Sequence, residues 1–371
     1  MSLRSLIRAL AIAFAAGLLA VTPAAASRHV LIGLLDDANT LGDPAATFPV
    51  LVDLHVQVVR MTLNWRLVAQ SQPVSARDPL DPAYSWGRVD AAVQAADLAG
   101  IKVLLTIFGT PGWANGGQAQ THAPASPQAL QDFAFAAATH FATVKLWLAW
   151  NEPNNPIDLA PQYLKHGKKW LLASPAAYAK ICTAVYTGVH QATPDAKVGC
   201  GATAPRGNDQ PQGSRPSVDP LAFLRAVKLA GLKTFDAWAH HPYYGSPRET
   251  PTSRPPAYQH AIELGNLDVL TKELTRLYGP KRVWITEYGY QTNPPDSFFG
   301  VSWAKQALYL SQAFTIARQN PRIDLMTWFL LKDDIPLGGW QSGLLTADNH
   351  KKPAYRAFQH LSLGVPVAGL K

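Results

Sequence analysis

The sequence predicts an α/β protein with the (β/α)8 barrel fold, and two observations lead to that prediction. Short apolar segments typical of strands alternate with longer segments typical of helices along the whole chain. Connections from helix to strand are short and built from turn residues, whereas connections from strand to helix are long and irregular. Because a helix follows each strand, the strands run parallel and the long loops gather at their carboxyl ends, where barrel enzymes keep their sites.

The first half of the predicted barrel contains four strands, each followed by a helix. The second strand carries Arg60 near its carboxyl end, and the third opens into the loop sequence GTPGWANGG. The helix before the third strand stops at Gly100, and the helix before the fourth strand is rich in alanine, a strong helix former. The predicted strands are 29–35, 56–63, 101–108 and 144–150, and the predicted helices are 44–54, 89–99, 127–141 and 175–191.

The second half repeats this alternation, and a long loop that runs to Leu172 separates the fourth strand from the helix that follows it. Its predicted strands are 197–201, 234–241, 283–286 and 325–331, and its predicted helices are 220–230, 260–278, 303–319 and 353–361. No internal repeat, low-complexity tract or charged linker interrupts the pattern. We therefore expect residues 27–371 to form a single barrel domain.

The first 26 residues have the features of a secretory signal peptide. Arg4 and Arg8 precede an apolar run at 9–21, which is too short to span a membrane comfortably, and three alanines at 24–26 offer a cleavage site before Ser27. We expect a secreted or periplasmic protein that does not insert into the membrane once the leader is removed.

Composition and charge exclude several classes of protein. Of the 371 residues, 47% are hydrophobic and 16% are charged, so a large core is expected and wholesale disorder is not. Removal of the leader lowers the net charge from +8 to +6 without leaving a basic block, so we expect no nucleic-acid partner. Cys182 and Cys200 lie in a predicted helix and the next strand; in an exported protein, a disulfide and two buried thiols both remain open.

Two glutamates stand at the carboxyl ends of predicted strands. In WLAWNEPNN the apolar fourth strand is followed by Glu152, and in RVWITEYGY the seventh strand is followed by Glu287. A lone glutamate in such a place is usually a solvated turn residue or a helix cap. Two of them at one end of the same barrel indicate a catalytic pair instead, since the carboxyl ends of parallel strands meet at one face.

The NEP run after the fourth strand and the TEYG run after the seventh resemble clan A of the retaining glycoside hydrolases. With TPGWA after the third strand, the chain is most similar to family 39, and family 5 is the next candidate. Family 5 members usually carry a histidine near the end of the third strand, and TIFGTPGWA contains none.

The resemblance implies a role for each member of the pair. Glu152 matches the acid/base of the clan, Glu287 its nucleophile, and Asn151 the residue that binds the sugar 2-hydroxyl. The chemistry explains these residue types, because retention requires one protonated and one ionised carboxyl group about 5 to 5.5 Å apart. Two adjacent carboxyl groups also raise one another's pKa, which keeps the acid protonated. No metal or cofactor is expected, and the partner is a carbohydrate substrate.

Further site residues follow from the same resemblance. Arg60 matches the arginine that holds the nucleophile ionised, although a salt bridge to a loop is the alternative. In AHHPYYG, the residues taken for the site are His241 and Tyr243, although a slip of one residue in the strand would select their neighbours instead. Trp328 matches the aromatic platform under the sugar, with barrel core as the alternative. Three more tryptophans near the long loops are candidates for further subsites: Trp113, Trp65 and Trp340.

Two other functions are compatible with the same fold. A carbohydrate-binding protein on a decayed barrel would have no need of Glu152, Glu287 and Asn151 together. A metal-dependent hydrolase would need a His-x-His at the first strand, which ends instead in Asp36 and Asp37. We therefore expect a retaining β-glycoside hydrolase. Its sugar, its linkage, internal or terminal cutting, transfer to acceptors other than water, and its oligomeric state are not predicted.

Overall fold

The computed structural model describes residues 30–336 and 338–363, so the predicted leader at 1–26 lies outside the described residues. The strands are β1 (Leu31–Leu35), β2 (Val58–Asn64), β3 (Lys102–Phe108), β4 (Leu146–Ala149), β5 (Tyr163–His166), β6 (Lys169–Leu172), β7 (Lys197–Thr203), β8 (Ala237–His240), β9 (Arg282–Ile285) and β10 (Ile323–Phe329). All except β5 and β6 form one closed barrel in which each strand pairs in parallel with its neighbours, and β10 pairs with β1. The predicted (β/α)8 barrel is confirmed.

Helices cover the outside of the barrel and cross from each strand to the next. They are α1 (Asp37–Thr40), α2 (Pro44–Asp53), α3 (Trp65–Val68), α4 (Gly87–Ala99), α5 (Gly112–Asn115), α6 (Pro127–His140), α7 (Ser174–Ala192), α8 (Pro220–Leu229), α9 (Leu267–Tyr278), α10 (Trp303–Gln319) and α11 (Pro353–Ser362). The short helices α1, α3 and α5 lie in the loops that follow the first three strands and were not predicted. The long helices match the predicted ones, with ends that differ by a few residues except in α9.

Local sequence signals explain where several helices begin. A proline occupies the first turn of α2 and of α8, where its missing N–H would have no partner within the helix. The residue before each proline is an aspartate whose carboxylate caps the helix: Asp43 accepts from the Ala46 N–H at 3.0 Å, and Asp219 accepts from two backbone N–H groups. The αL conformation of Gly100 ends α4, as the sequence predicts.

Side chains fill the barrel interior. The buried interior cluster contains Val58, Leu104, Leu148, Ala202, Ala237, Ala239, Trp284 and Leu325. Gly199 on β7 makes room for the large ring of Trp284, since a Cβ atom at this position would lie 2.6 Å from a ring carbon. The residues that alternate with these along the strands face outward and pack against the helices.

The structure corrects two predicted elements. Helix α9 begins at Leu267 and not at residue 260, because Glu263 and Asn266 cap one another's backbone in a short 3₁₀ turn that precedes it. The long loop after β4 contains an antiparallel hairpin, in which β5 pairs with β6. Its strands are only four residues long and mostly exposed, so they lack the apolar alternation that would have revealed them.

Cys182 on α7 and Cys200 on β7 form a disulfide, which settles the choice left open by the sequence. It ties a helix to the strand that follows it, across a sequence separation of 18 residues. No helix within the described residues is long and apolar enough to cross a membrane.

Candidate active site

A cleft of about 910 Å³ opens at the carboxyl ends of the barrel strands. Most of its lining comes from the loops that follow these strands, as expected for a barrel enzyme. The lining includes Asp37, Arg60, Phe108, Asn151, Glu152, Asp158, Arg206, Tyr243, Glu287, Phe329 and Trp340. Both predicted catalytic glutamates therefore face one cavity.

Glu152 reaches the cleft through an unusual backbone path at the end of β4. Trp150 and Glu152 both have positive φ angles, of 71° and 29°, which L-residues seldom adopt. The Glu152 N–H donates to the carbonyl of Ala202 in β7 at 3.0 Å, and this bond helps to hold the turn in place. Such backbone strain persists where the surrounding structure supports it, and it is common at active sites.

The neighbours of the Glu152 carboxylate are a side-chain amide and an imidazole ring. One oxygen accepts a hydrogen bond from the Asn155 side-chain amide at 3.1 Å. The other lies 3.0 Å from Nδ1 of His241, whose Nε2 lies 2.9 Å from the Thr286 hydroxyl. No arginine or lysine forms an ion pair with this carboxylate among the described residues.

Glu287 has much stronger donors. Arg60 donates to one carboxylate oxygen at 2.7 Å, and the Tyr243 hydroxyl donates to the other at 3.1 Å. Burial by itself raises the pKa of Glu287, but the His241 ring, the Arg60 guanidinium and the Tyr243 hydroxyl together outweigh it and hold the pKa below its usual value. Glu287 is therefore ionised at neutral pH.

The two carboxylates lie close together, with the His241 ring beside both. An oxygen of Glu152, an oxygen of Glu287 and a ring nitrogen of His241 all lie within 4.8 Å of one another. His241 Nδ1 is 3.0 Å from the Glu152 carboxylate and 3.7 Å from that of Glu287. This separation matches the short spacing of retaining glycosidases, since inverting enzymes need about 6.5 to 9.5 Å to admit a water molecule.

Arg60 lies deeper than the sequence predicted. It is the third of seven residues in β2 and is only 2% exposed, so it forms the floor of the cleft and not its rim. Its guanidinium donates to Thr106 at 3.0 Å, to the Thr286 carbonyl at 2.9 Å and to Asn151 at 2.8 Å, in addition to Glu287. The planar fork of an arginine suits such a set of acceptors, and a lysine would not.

The structure also decides which residues of AHHPYYG contact the two glutamates. His241 and Tyr243 contact the glutamates, as the sequence analysis assumed. His240 faces away and lies within hydrogen-bond distance of Thr203 and the Ile262 carbonyl, and Tyr244 stacks on another tyrosine while its hydroxyl donates to the Phe299 carbonyl.

Three of the predicted aromatic positions do not line the cleft: Trp328, Trp113 and Trp65. Trp328 is fully buried among the helices that surround the barrel, and its indole N–H donates to the Ser342 carbonyl. Trp113 packs edge-on against the buried Trp65 and donates to the Ala69 carbonyl, so neither of these lines the cleft. Outward and inward side chains alternate along a strand, and the inward residue at the end of β10 is Phe329.

Phe329 and Trp340 are the aromatic residues that stand where Trp328 was expected. Trp340 is 44% exposed, its ring stacks on Tyr243 with centroids 5.9 Å apart, and its edge meets Phe329. Rings of this kind present flat apolar faces to the cleft, which suit the C–H face of a sugar.

Some site residues were missed by the sequence analysis. Asn155 holds Glu152 and belongs to the same NEPNN run, so its proximity was readable from the motif. Asp158 accepts from the Asn151 amide at 3.0 Å, and Asp37 accepts from the Thr62 N–H at 3.0 Å beside Arg60. Asp37 stands two residues after β1, at the same end of the barrel as the glutamates, but the sequence analysis assigned it no role in the site. Nothing in the sequence marks Asp158, because the loop conformation alone brings it to the cleft.

Among the residues that the structure describes, two groups of side chains have the spacing of metal ligands. Glu152, His241 and Glu287 form the first, but the guanidinium of Arg60 lies 2.7 Å from Glu287 and would repel a cation there. The second group is Asp209, Asp219 and His260, outside the cleft, where Asp219 already serves as the helix cap of α8.

Comparisons with known proteins place the fold among glycoside hydrolases. No family profile and no curated protein matches the sequence. A family 39 glycoside hydrolase from Bacteroides cellulosilyticus WH2 superposes with a TM-score of 0.64 at 21% identity, over 90% of this chain and 64% of that one. A family 39 β-xylosidase from Caulobacter crescentus gives 0.60 at 18% identity, over 91% and 72%. A family 5 enzyme from Streptomyces cattleya gives 0.63 at 16%, over 90% and 80%.

These matches confirm the predicted likeness to clan A, with family 39 enzymes among the most similar structures, at the level of the fold. The chain spans just under two thirds of the length of the Bacteroides enzyme. At such low identities the activity has to be argued from the site itself.

Proposed function

We propose that the protein is a retaining β-glycoside hydrolase in which Glu287 is the nucleophile and Glu152 the acid/base. The observation that carries this proposal is the pair of carboxylates within 4.8 Å of one another in unequal surroundings. One has an arginine and a tyrosine as donors, and the other has an amide and a histidine. Unequal surroundings of two carboxyl groups separate an ionised group from a protonated one.

In the first step, a Glu287 oxygen attacks the anomeric carbon and the bond to the leaving oxygen breaks. Protonated Glu152 gives its proton to that oxygen, so the leaving group departs as a neutral alcohol. Arg60 and Tyr243 hold the attacking carboxylate in position while its other oxygen remains hydrogen-bonded. The product of this step is a covalent glycosyl-enzyme.

In the second step, Glu152 acts as a base. It takes a proton from water, the water oxygen attacks the anomeric carbon, and the bond to Glu287 breaks to restore the ionised carboxylate. The same group acts as acid and then as base, so it must accept and release a proton in each cycle. The absence of an ion-paired cation around Glu152 in the described part of the chain suits this exchange.

The substrate class follows from the lining of the cleft. The exposed ring of Trp340 lies beside Tyr243, which contacts Glu287, and the ring of Phe329 meets the Trp340 ring. An aromatic surface next to a set of carboxylates and amides suits a sugar, which has both apolar faces and many hydroxyl groups. We propose oligosaccharides or polysaccharides as substrates.

We also propose that the protein is exported, as the first 26 residues led us to expect. The Cys182–Cys200 disulfide supports this, since disulfides persist in oxidising compartments and are rare in the cytosol. Fractionation of the cells in which the protein is made, with mass spectrometry of the purified protein, tests it. A mature chain that begins at Ser27 is expected outside the cytoplasm, and a cytoplasmic full-length chain would contradict the proposal.

A turnover screen tests the activity. The protein without its leader would be assayed against aryl β-glycosides of several sugars and against soluble β-linked polysaccharides, with a Glu287→Gln variant in parallel. Cleavage by the wild type that is lost in the variant is the expected result. Binding of sugars without turnover would favour a carbohydrate-binding protein on this barrel.

A further inference from the structure

Asp158 is a carboxylate in the cleft to which neither proposed chemical step assigns a role. The chain after Glu152 folds back on itself, because Asn155 accepts backbone hydrogen bonds from both Asp158 and Leu159. The indole of Trp150 donates to the Asp158 carbonyl at 2.8 Å and fixes this return. The loop thereby brings Asp158 next to Asn151, seven residues earlier in the chain.

The side chain of Asn151 is held at two points. Its oxygen accepts from Arg60 at 2.8 Å, and its nitrogen donates to the Asp158 carboxylate at 3.0 Å. An amide held only at its oxygen can pivot about that hydrogen bond, and the second bond fixes its plane. An amide nitrogen carries two hydrogens. The second one has no hydrogen-bond acceptor among the residues that the structure describes, and Asn151 lines the cleft.

The surroundings of Asp158 are unfavourable for a carboxylate apart from its contact with Asn151. Burial, followed by the negative charge of Glu152, raises the pKa of Asp158 to about 7. A carboxyl group is costly to bury and to place near another acid, so its presence in the cleft needs a compensating contact. Its only described side-chain partner is Asn151. In either protonation state it retains an oxygen that accepts the Asn151 N–H.

We propose that Asp158 is a positioning residue for recognition of the sugar 2-hydroxyl, because it holds the Asn151 amide with its remaining N–H directed into the cleft. This proposal rests on the proposed function and on the role of Asn151 that the resemblance to clan A implies, and it adds the residue that orients Asn151. Contacts to the 2-hydroxyl strengthen in the transition state of glycosidases. A misaligned Asn151 should therefore slow the chemical step more than it weakens binding.

The test compares two substrates that differ by one hydroxyl group: an aryl β-glycoside that the enzyme cleaves and its 2-deoxy counterpart. Asp158→Ala should lower kcat/KM on the first substrate by about 10- to 100-fold, mainly through kcat. The variant no longer orients the Asn151 N–H that would bond the 2-hydroxyl in the charged transition state. On the 2-deoxy substrate the loss should stay below about threefold, since the hydroxyl in question is missing. Asp195→Ala, which removes an exposed carboxylate paired with Lys145, is the control and should change neither rate.

A second pair of variants protects the test against misfolding. Asp158→Leu fills nearly the same space without an acceptor and should behave as Asp158→Ala does. In an Asn151→Ala background, removal of Asp158 should cost less than about a further threefold, since its partner is already gone. Equal losses on both substrates, or additive losses in the double variant, would overturn the proposal. A wild type that cleaves no glycoside would instead overturn the proposed function, and this proposal with it.

Discussion

The loops after β4 and β9 each place a glutamate in the same cleft, but the hydrogen-bond partners of the two carboxylates differ. The Glu152 carboxylate is held by one neutral amide and one imidazole, on a backbone with a positive φ angle. The Glu287 carboxylate is held by a buried guanidinium and a tyrosine hydroxyl. The guanidinium beneath Glu287 favours its charged form, and no such cation lies beneath Glu152 in the described structure. Identical side chains thus acquire different chemistry from their neighbours.

The largest effect is expected from Glu287, the proposed nucleophile. Glu287→Gln keeps the size of the side chain but removes the attacking oxygen's charge, so kcat should fall by about 10⁴-fold or more on every substrate. Steady-state kinetics measure this. Glu273→Gln, at a glutamate on α9 that pairs with two arginines outside the cleft, is the matched control and should retain full activity.

The acid/base should show a smaller loss that depends on the substrate. Glu152→Ala should slow cleavage of natural glycosides by about two to four orders of magnitude, because a sugar alkoxide needs a proton to leave. An aryl glycoside with a good leaving group needs little protonation, so its first step should lose far less. Pre-steady-state measurement of the two first steps compares them. Equal losses on both substrates would remove the acid role from Glu152.

Arg60 is the main difference between the surroundings of Glu287 and those of Glu152, so its replacement should make the two surroundings more alike. Arg60→Lys keeps a positive charge but cannot reach Glu287, the Thr286 carbonyl, Thr106 and Asn151 together. We expect a loss of about 10- to 100-fold in kcat with a folded protein. Lysine is preferred to alanine because Arg60 is buried, and alanine would leave Glu287 without its cation. Wild-type kcat together with an unchanged melting temperature would show that the arginine has no catalytic role.

The smallest predicted effect concerns Asp158, a carboxyl group of the cleft outside the proposed catalytic pair. The folded pKa of Asp158, about 7, lies above its ordinary value, so the folded state binds this proton more tightly than the unfolded chain does. Its contribution to stability is full below about pH 4 and is lost as the pH rises to 7. Asp158→Asn does not titrate, and its unfolding free energy relative to wild type should rise by about 1 to 3 kcal/mol over that range.

Urea denaturation of both proteins at several pH values between 4 and 7.5 measures this difference. A difference between the two proteins that stays constant with pH would contradict the raised pKa of Asp158. It would leave the comparison between Glu152 and Glu287 intact, because that comparison rests on their hydrogen-bond partners.

The fold was predictable because its signals are local and repeated. The alternation of strands and helices and the asymmetry of loop lengths are both visible in the sequence. Less could be predicted where the structure depends on one or two contacts or lacks an apolar pattern. The start of α9 depends on the reciprocal cap between Glu263 and Asn266, and the exposed β5–β6 hairpin has no apolar pattern.

The same limit applies to the site. Glu152, Asn151 and Glu287 follow their strands directly, so their motifs located them. Side chains alternate between the two faces of β10, so the direction of Trp328 depends on its position in that alternation. The next residue, Phe329, is the one that faces the cleft. Asp158 comes to Asn151 only through the fold of a loop, which no local pattern specifies.

The most direct test of the unequal pair is the stereochemistry of the first product. Carboxylates within 4.8 Å of one another leave room for the anomeric carbon but not for an additional water, so the proposed mechanism has Glu287 attack directly. Proton NMR during rapid hydrolysis of an aryl β-glycoside should therefore show the β-anomer first, followed by slow mutarotation. A 2-fluoro glycoside of the same sugar should label a peptide that contains Glu287. Initial appearance of the α-anomer, or a label on another residue, would contradict the assignment of the two glutamates.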